Sequence, residues 1–332
     1  MGEFDLIARY FKRPARRAVL GVGDDCALLQ PAPGTQMAIS SDMLVEGRHF
    51  FADVDPFKLG HKALAVNLSD LAACGAKPLA FTLALSLPQA NEAWLAPFSQ
   101  GLLALADAHD CELIGGDTTQ GPLNICITVF GEVPVVAGRS QALLRSGAQA
   151  GDDLYVSGTL GDARLALDAL LGKRIIPDEV LAQARMRLEM PTPRVALGLA
   201  LRGVATAAID VSDGLLGDLG HILERSGVGA TVFADDAIKS IAAYKYSTWA
   251  GSQFDKAISE DLWRALALAG GDDYELLFTA PAQQRAAVLA AGQVSQTPVR
   301  RIGLINAKHD LRLLDAQGQD LPNSYVSFDH FA

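Results

Sequence analysis

Hydrophobic positions along the chain recur with two periods, helical and alternating. Phe4, Ile7, Tyr10 and Phe11 fall near helical spacing and predict a short amphipathic helix at the start. Residues 21–26 have no period and read as a loop. Residues 37–41 predict a strand. Asp55-Pro56 has the form of a helix opening, a cap followed by proline in the first turn, and the helix is predicted to run to about residue 74. Residues 79–87 alternate as a strand does, and 92–109 predict a second helix. Leu113-Ile114 is a short strand entering Gly115-Gly116-Asp117, and 124–133 alternate again as a hairpin partner. This mixture, with antiparallel pairing, predicts α+β and not a Rossmann layout.

Residues 135–150 carry Gly138, Arg139, Arg145 and Gly147 and lack a period. They predict a boundary, with domains at 1–137 and 151–332 and a linker at 138–150. The second domain reads as α/β. Strands are expected at 154–156, 205–211, 229–233, 274–279 and 299–305. Helices are expected at 162–171, 178–188, 194–202 and from 214 to about 226. The stretch 238–264 alternates polar and aromatic residues without a clear period and reads as a variable insertion.

Length and composition narrow the class. The chain has 332 residues, half of them hydrophobic, enough for two domains with real cores. A net charge of −10 argues against a nucleic-acid partner, which requires a basic face. The four cysteines form no C-x-x-C pair and read as small buried residues in a reducing compartment. The first residues lack the form of a signal peptide, and the apolar stretches are too interrupted to span a bilayer. The expectation is a cytoplasmic protein without membrane contact.

The acidic residues are unevenly divided, 28 Asp against 10 Glu. Five aspartate-bearing turns stand out: Gly21-Val22-Gly23-Asp24-Asp25, Ser40-Ser41-Asp42, Asn67-Leu68-Ser69-Asp70, Gly115-Gly116-Asp117 and Asp210-Val211-Ser212-Asp213-Gly214. Turn formation accounts for a single Gly-Asp pair, and helix capping accounts for Asp213. Asp70 is different. Leu68, Leu71, Ala72 and Ala73 put it near a buried face, where an unpaired carboxylate is costly and a metal or cation would relieve it. Oxygen donors without nearby His or Cys favour Mg²⁺ or Mn²⁺ over zinc or copper. Several Mg²⁺ ions bridging a nucleotide fit such a set. The sequence contains neither a P-loop nor a kinase glycine loop with its lysine, nor a G-x-S-x-G elbow. Any ATP is therefore held by metals and backbone N–H groups.

These turns, in order, resemble the thiamine-monophosphate kinase family within the aminoimidazole ribonucleotide synthetase-like superfamily. The resemblance covers nearly the whole chain. It rests on the turns above and on the residues that extend three of them, Cys26-Ala27, Met43 through Phe50, and Thr118-Thr119. It also rests on Leu71-Ala72-Ala73 and Leu215, which extend the other two turns, on Arg145-Ser146-Gly147 and on Gly270-Gly271-Asp272-Asp273-Tyr274-Glu275-Leu276. It implies a two-domain fold, an N-terminal mixed sheet with helices on one face and a C-terminal α/β domain. It implies transfer of the ATP γ-phosphoryl group to thiamine monophosphate, giving thiamine diphosphate. It carries Mg²⁺ ligation onto Asp25, Asp42, Asp70, Asp117, Asp210 and Asp213, with hydroxyls or carbonyls of Ser40 and Ser41. Asp42, Asp70 and Asp213 become the residues central to catalysis. Gly116, Asp117, Arg145 and Ser212 are expected on ATP, and His49, Asp272 and Tyr325 around the thiamine substrate. A homodimer through the N-terminal domains, with ATP in the cleft between domains, is also implied. The family usually has Glu at the position of Asp272 and often Trp at that of Tyr325.

The acceptor in this chemistry is a phosphate oxygen, already ionised near neutral pH, so no general base is required. Charge neutralisation and in-line positioning carry the reaction. Arg145 offers a forked phosphate contact, and the helix after Gly214 is expected to aim its N-terminus at the anions. Other superfamily synthetases and a catalytically silent nucleotide-binding protein are the competing readings. A selenophosphate synthetase would carry a reactive Cys with Lys near the N-terminus, where this chain has Cys26 after the Asp pair. A silent protein would be expected to have lost some of the acidic positions.

Overall fold

The computed structural model describes residues 2–242 and 259–328. The chain divides into two compact units, one of residues 1–71 and 76–142, the other of residues 72–75 and 143–332. The stretch 138–150 is split between them at residue 142. Most of the stretch 238–264, residues 243–258, lies outside the described residues.

The first unit holds a mixed sheet. Its strands are β1 (Thr35–Val45), β2 (Lys77–Leu87), β3 (Glu112–Gln120), β4 (Asn124–Val136) and β5 (Arg139–Ser140). The order is β1-β4-β2-β3, with β5 on β4. β4 runs antiparallel to β1 and β2, while β2 and β3 are parallel. A parallel pair needs a crossover, and the helix α3 (Glu92–Ala108) lies between β2 and β3 in the chain. The helix α2 (Pro56–Ala73) precedes β2, and α1 (Glu3–Tyr10) opens the chain. Alternation on β4 buries Ile125, Ile127 and Val129 on one face, with Phe81, Leu83 and Leu85 of β2. The backbones of α2 and α3 touch. A Cβ on Gly60 would stand 2.1 Å from the Phe98 carbonyl oxygen, and one on Gly101 would stand 1.9 Å from that of Phe57. Only glycine permits this approach.

The second unit is built on β6 (Asp152–Ser157), β7 (Ala207–Val211), β8 (Gly229–Phe233), β9 (Glu275–Pro281), β10 (Val299–Asn306), β11 (Leu311–Leu314) and β12 (Asp320–Leu321). Their order is β12-β11-β8-β10-β6-β9-β7. Its helices, among the described residues, are α4 (Asp162–Leu170), α5 (Asp178–Glu189), α6 (Val195–Ala200), α7 (Leu215–Ser226), α8 (Ala234–Ile238), α9 (Glu260–Ala269) and α10 (Arg285–Val294). Leu215, Leu219 and Ile222 of α7 and Trp263 and Leu266 of α9 join Val156, Ile209 and Leu277 in one core. The expected fold class, a mixed α/β architecture in two units, is what the chain adopts.

Several local expectations change. The end of the 238–264 stretch is the first turn of α9, not irregular chain. Ser259 caps it by accepting from the Leu262 N–H, and Glu260 and Asp261 occupy its first turn. Asp42, Asp117 and Asp210 lie inside strands β1, β3 and β7, not in turns. Of the cysteines, Cys111 alone is fully buried, and Cys26 is exposed on its loop. Burial pushes the Cys111 thiol up to about 12, so it stays protonated.

Candidate active site

In the first unit the loop of residues 21–26 leaves Asp24 and Asp25 exposed, with the Asp25 N–H donating to Asp24 Oδ1 at 3.0 Å. Asp24 and Asp25 border a cavity of about 770 Å³ that also reaches Gly115, Gly116 and Asp117 on β3. α1 also lines it through Phe4 and Ile7, as does Phe11 just after the helix. Gly116 is required where it stands, because a Cβ there would lie 1.8 Å from the Leu83 carbonyl oxygen. The bare backbone at this position leaves the strand approachable from the cavity.

Ser40, Asp42 and Asp70 form a second group. The Ser40 hydroxyl donates to Asp70 Oδ2, joining β1 to α2. Asn67, one turn before Asp70, accepts from the Asp42 N–H at 3.1 Å and donates to the Ala63 carbonyl at 3.0 Å. The half-buried carboxylate of Asp70 thus has a hydroxyl partner, which lowers the burial cost that first drew attention to it.

Strand register separates two sets of candidates. Asp42 is level with Ile127, Leu83 and Gly116 across the sheet, while Met43 is level with Cys126, Ala84 and Asp117. Alternation therefore places Asp42 and Asp117 on opposite faces. Ser41 shares the face of Asp117, where its hydroxyl meets Thr128 Oγ1 at 3.0 Å and the Ile127 carbonyl at 3.2 Å. Ser40 and Ser41 hydroxyls cannot serve one ion together in this unit. Ser41 could join Asp42 only through its carbonyl.

His49 follows β1 in a turn that opens at Gly47, where φ is +76°. Its Nδ1 accepts from the Val45 N–H at 2.9 Å, so the neutral ring carries its proton on Nε2.

In the second unit two motifs separated by some 60 residues are laced together. The Asp272 N–H donates to the Ser212 carbonyl and the Tyr274 N–H to that of Val211, both at 2.8 Å. Asp272 and Tyr274 adopt φ of +66° and +50°, a conformation uncommon for residues with a side chain. The Tyr274 hydroxyl donates to Asp272 Oδ1 at 3.2 Å. The C-terminal segment joins them, because the Phe328 N–H donates to the Asp213 carbonyl and the Gly217 N–H to Ser327 Oγ, both at 3.0 Å. Asp210, Ser212, Asp213, Asp272 and the segment bearing Tyr325 are thereby gathered. Tyr325 itself packs half-buried on the core. Arg145 is exposed beside β7, where the preceding Leu144 carbonyl accepts from the Ala208 N–H at 2.9 Å.

Sequence reasoning missed the groups that hold this arrangement. One oxygen of Asp218 accepts the N–H groups of Ser212, Asp213 and Gly214 at 3.0, 3.2 and 3.2 Å. These amides, just before the helix whose N-terminus was expected to face an anion, are engaged by the chain's own carboxylate. Burial and the neighbouring Asp213 push Asp218 up to about 7 despite the three hydrogen bonds. Asp273 is fully buried and accepts from the Gly161 N–H through both oxygens, at 2.9 and 2.8 Å. Glu275 is fully buried too, bound to Arg194 at 2.6 Å through each oxygen and to Arg187 at 2.8 Å. The Arg187 guanidinium also reaches the Asp273 carbonyl at 2.9 Å. The partners of Asp273 and Glu275 lie more than 80 positions away, and no local pattern marks them.

The donor chemistry fits Mg²⁺, since every candidate offers oxygen. Among the described residues no group of three or more His, Cys, Asp or Glu side chains stands ready to cage a metal. Mg²⁺ commonly takes one or two carboxylates and completes its shell with water and phosphate oxygens, so a cage of three protein carboxylates is not required.

Family models match both units. Residues 23–133 match the AIR synthase related protein N-terminal domain, and 149–315 match its C-terminal domain. The thiamine-monophosphate kinase of Salmonella typhimurium is 45% identical over 336 residues, covering 100% of this chain and 98% of that one. The crystal structure of the thiamine-monophosphate kinase of Stenotrophomonas maltophilia superposes with a TM-score of 0.81 at 45% identity, covering 96% of each chain. A structure described as AaThiL complexed with AMPPCP and TMP superposes at 0.73 with 26% identity, covering 91% of this chain and 89% of that one. With both halves matched to paired domain models and close relatives aligned end to end, the chain belongs to the AIR synthase related family and, within it, to the thiamine-monophosphate kinases.

Proposed function

We propose that the chain converts thiamine monophosphate to thiamine diphosphate by direct in-line transfer of the ATP γ-phosphoryl group. The observation that carries this reading is the cavity of the first unit, where Asp25, Gly116 and Asp117 line one space large enough for a nucleotide. Family membership supports it, as does the AaThiL relative complexed with AMPPCP and TMP.

An ionised phosphate oxygen of thiamine monophosphate attacks the γ-phosphorus. The bond from that phosphorus to the β,γ-bridging oxygen breaks, and ADP leaves with the electron pair. No side chain need remove a proton. Gly116 gives the nucleotide close access to backbone, and Arg145 supplies a forked contact to phosphate. Ser212 serves ATP through its hydroxyl. His49, Asp272 and Tyr325 orient the thiamine moiety, His49 by its Nε2–H and Tyr325 by its ring. Asp25, Asp42, Asp70, Asp117, Asp210 and Asp213, with Ser40 and the Ser41 carbonyl, are the residues that would hold Mg²⁺. Bound Mg²⁺ would neutralise the charge of the two anionic reactants.

We assign nucleotide and metal binding together with dimerisation to the first unit, and substrate binding with further ATP contacts to the second. A homodimer is supported by the open sheet face of the first unit, where Ile39 is 61% and Met43 53% exposed. Among the described residues no helix is long and apolar enough to cross a membrane. We place the enzyme in the cytoplasm. Incubation with ATP, MgCl₂ and thiamine monophosphate should yield thiamine diphosphate and ADP in equal amounts. Good Mg-ATP binding without thiamine diphosphate would refute the enzyme reading. Sedimentation at a monomer mass would refute the dimer.

A further inference from the structure

The helix α1 is amphipathic, and most of its apolar side is used as expected. Leu6 is 3%, Tyr10 9% and the following Phe11 4% exposed, so the helix is anchored to its unit. Phe4 departs from that pattern at 82% exposed. A phenyl ring left in water forgoes the gain of burial. Phe4 lines the same cavity as Asp24, Asp25, Gly116 and Asp117.

The lining of the cavity is of two kinds. One part has carboxylates and bare glycine backbone, suited to metal-bound phosphate. The other is α1 and the residues after it, with Phe4 and Ile7 as apolar lining between Glu3 and Lys12. A ligand that is anionic at one end and a flat π-system at the other matches both. We propose that Phe4 is a nucleotide-binding residue, whose ring stacks on the purine base of ATP. The helix presents the ring on a scaffold fixed by Leu6, Tyr10 and Phe11, so little ordering is needed on binding. Base stacking on an aromatic side chain tolerates any purine, so Phe4 adds affinity more than discrimination between purines. The assignment rests on the reading of this cavity as the ATP site.

The test compares Phe4→Ala, Phe4→Leu and Phe4→Trp in the full chain, with adenosine and inorganic tripolyphosphate as competitive inhibitors against ATP. Phe4→Ala should raise the KM for ATP and the Ki of adenosine about tenfold. The Ki of tripolyphosphate and the KM for thiamine monophosphate should stay within twofold of the wild-type values, a range in which ordinary packing changes at exposed sites fall. Phe4→Trp should restore adenosine binding and Phe4→Leu should not. Equal weakening of both inhibitors, no weakening of either, or full rescue by Phe4→Leu would overturn the stacking role. So would dissociation to monomers with unchanged adenosine binding, which would make Phe4 a subunit contact. A wild-type protein that forms no thiamine diphosphate from ATP defeats the kinase reading itself, whereas an active wild type with an indifferent Phe4→Ala defeats only this inference.

Discussion

Glu112 in the first unit and Asp218 in the second use the same device with opposite outcomes. Each carboxylate gathers the N–H groups of three consecutive residues. Glu112 takes those of Arg16, Arg17 and Ala18, just before the loop that carries Asp24 and Asp25. Asp218 takes those of Ser212, Asp213 and Gly214. Burial pushes both carboxyls up. For Glu112 the three hydrogen bonds and Arg16 outweigh burial and hold it below the usual range. For Asp218 burial is joined by Asp213, and the same number of hydrogen bonds does not compensate. Three backbone hydrogen bonds, shared by both oxygens in Glu112 and taken by one in Asp218, therefore do not set the sign alone; burial and the neighbouring charge together do. The surroundings differ in kind as well. The acidic candidates around the Glu112 clamp stand open on a loop and a strand, whereas those beside Asp218 rest on a buried ionic lattice.

The lattice gives the largest expected effect. Glu275→Ala leaves Arg187 and Arg194 without their carboxylate and should lower unfolding stability by about 3–5 kcal/mol in a denaturant titration. A loss below ~1 kcal/mol would mean that the second unit is no more tightly bound than the first. Next, Asp42→Ala and Asp213→Ala should each reduce turnover about a hundredfold or more. Melting curves should separate them from Glu275→Ala, because Asp42 and Asp213 are proposed ligands and the lattice does not depend on them. Near-normal turnover in either folded variant would remove that aspartate from the metal set.

The clamps can be told apart by pH. The folded pKa of Asp218 is raised, so its contribution to stability is complete below its unfolded value near 4 and is lost as pH rises towards about 7. The folded pKa of Glu112 is lowered, so its contribution is present above its unfolded value and is lost as pH falls. Relative to wild type, Asp218→Asn should gain stability between roughly pH 4 and 7, by at most about 1.4 kcal/mol per unit. Glu112→Gln should be less stable than wild type at pH 7, and the deficit should shrink in acid. Parallel pH profiles for the two variants would contradict the contrast. The smallest effect is expected at Tyr325→Ala, a rise of roughly three- to tenfold in the KM for thiamine monophosphate with little change in kcat. An unchanged KM would reduce the ring to core packing.

Much of this was legible in the residues. The long helices α2 and α3 were placed from the residues, α2 with its opening at Asp55-Pro56; the cap of α3, Asn91, whose side chain accepts from the Ala93 N–H, came from the structure. The acidic motifs stand out individually. The start of α9 was hidden because its polar first turn adjoins an aperiodic stretch, although Ser259 is an ordinary cap. Asp218 reads as a plain helical aspartate until the loop folds back over it. The contact between Ser40 and Asp70 spans 30 positions, and those from Glu275 to Arg187 and Arg194 span 88 and 81.

By itself the sequence determined the residue types and their local setting: oxygen donors in glycine-rich or strand-borne motifs, two α/β units, and a family resemblance specific enough to name the reaction. Periodicity and turn chemistry act over a few residues, so they can be read directly. Only the tertiary structure decided which candidates share a face. Asp42 and Asp117 sit one residue out of step in the ladder, and a single step in strand register turns a side chain to the opposite side. It also decided that the amides of Ser212, Asp213 and Gly214, just before α7, bind Asp218, and that Phe4 lines a cavity and is not in the core. Such outcomes depend on burial and on distant partners, which no local pattern encodes.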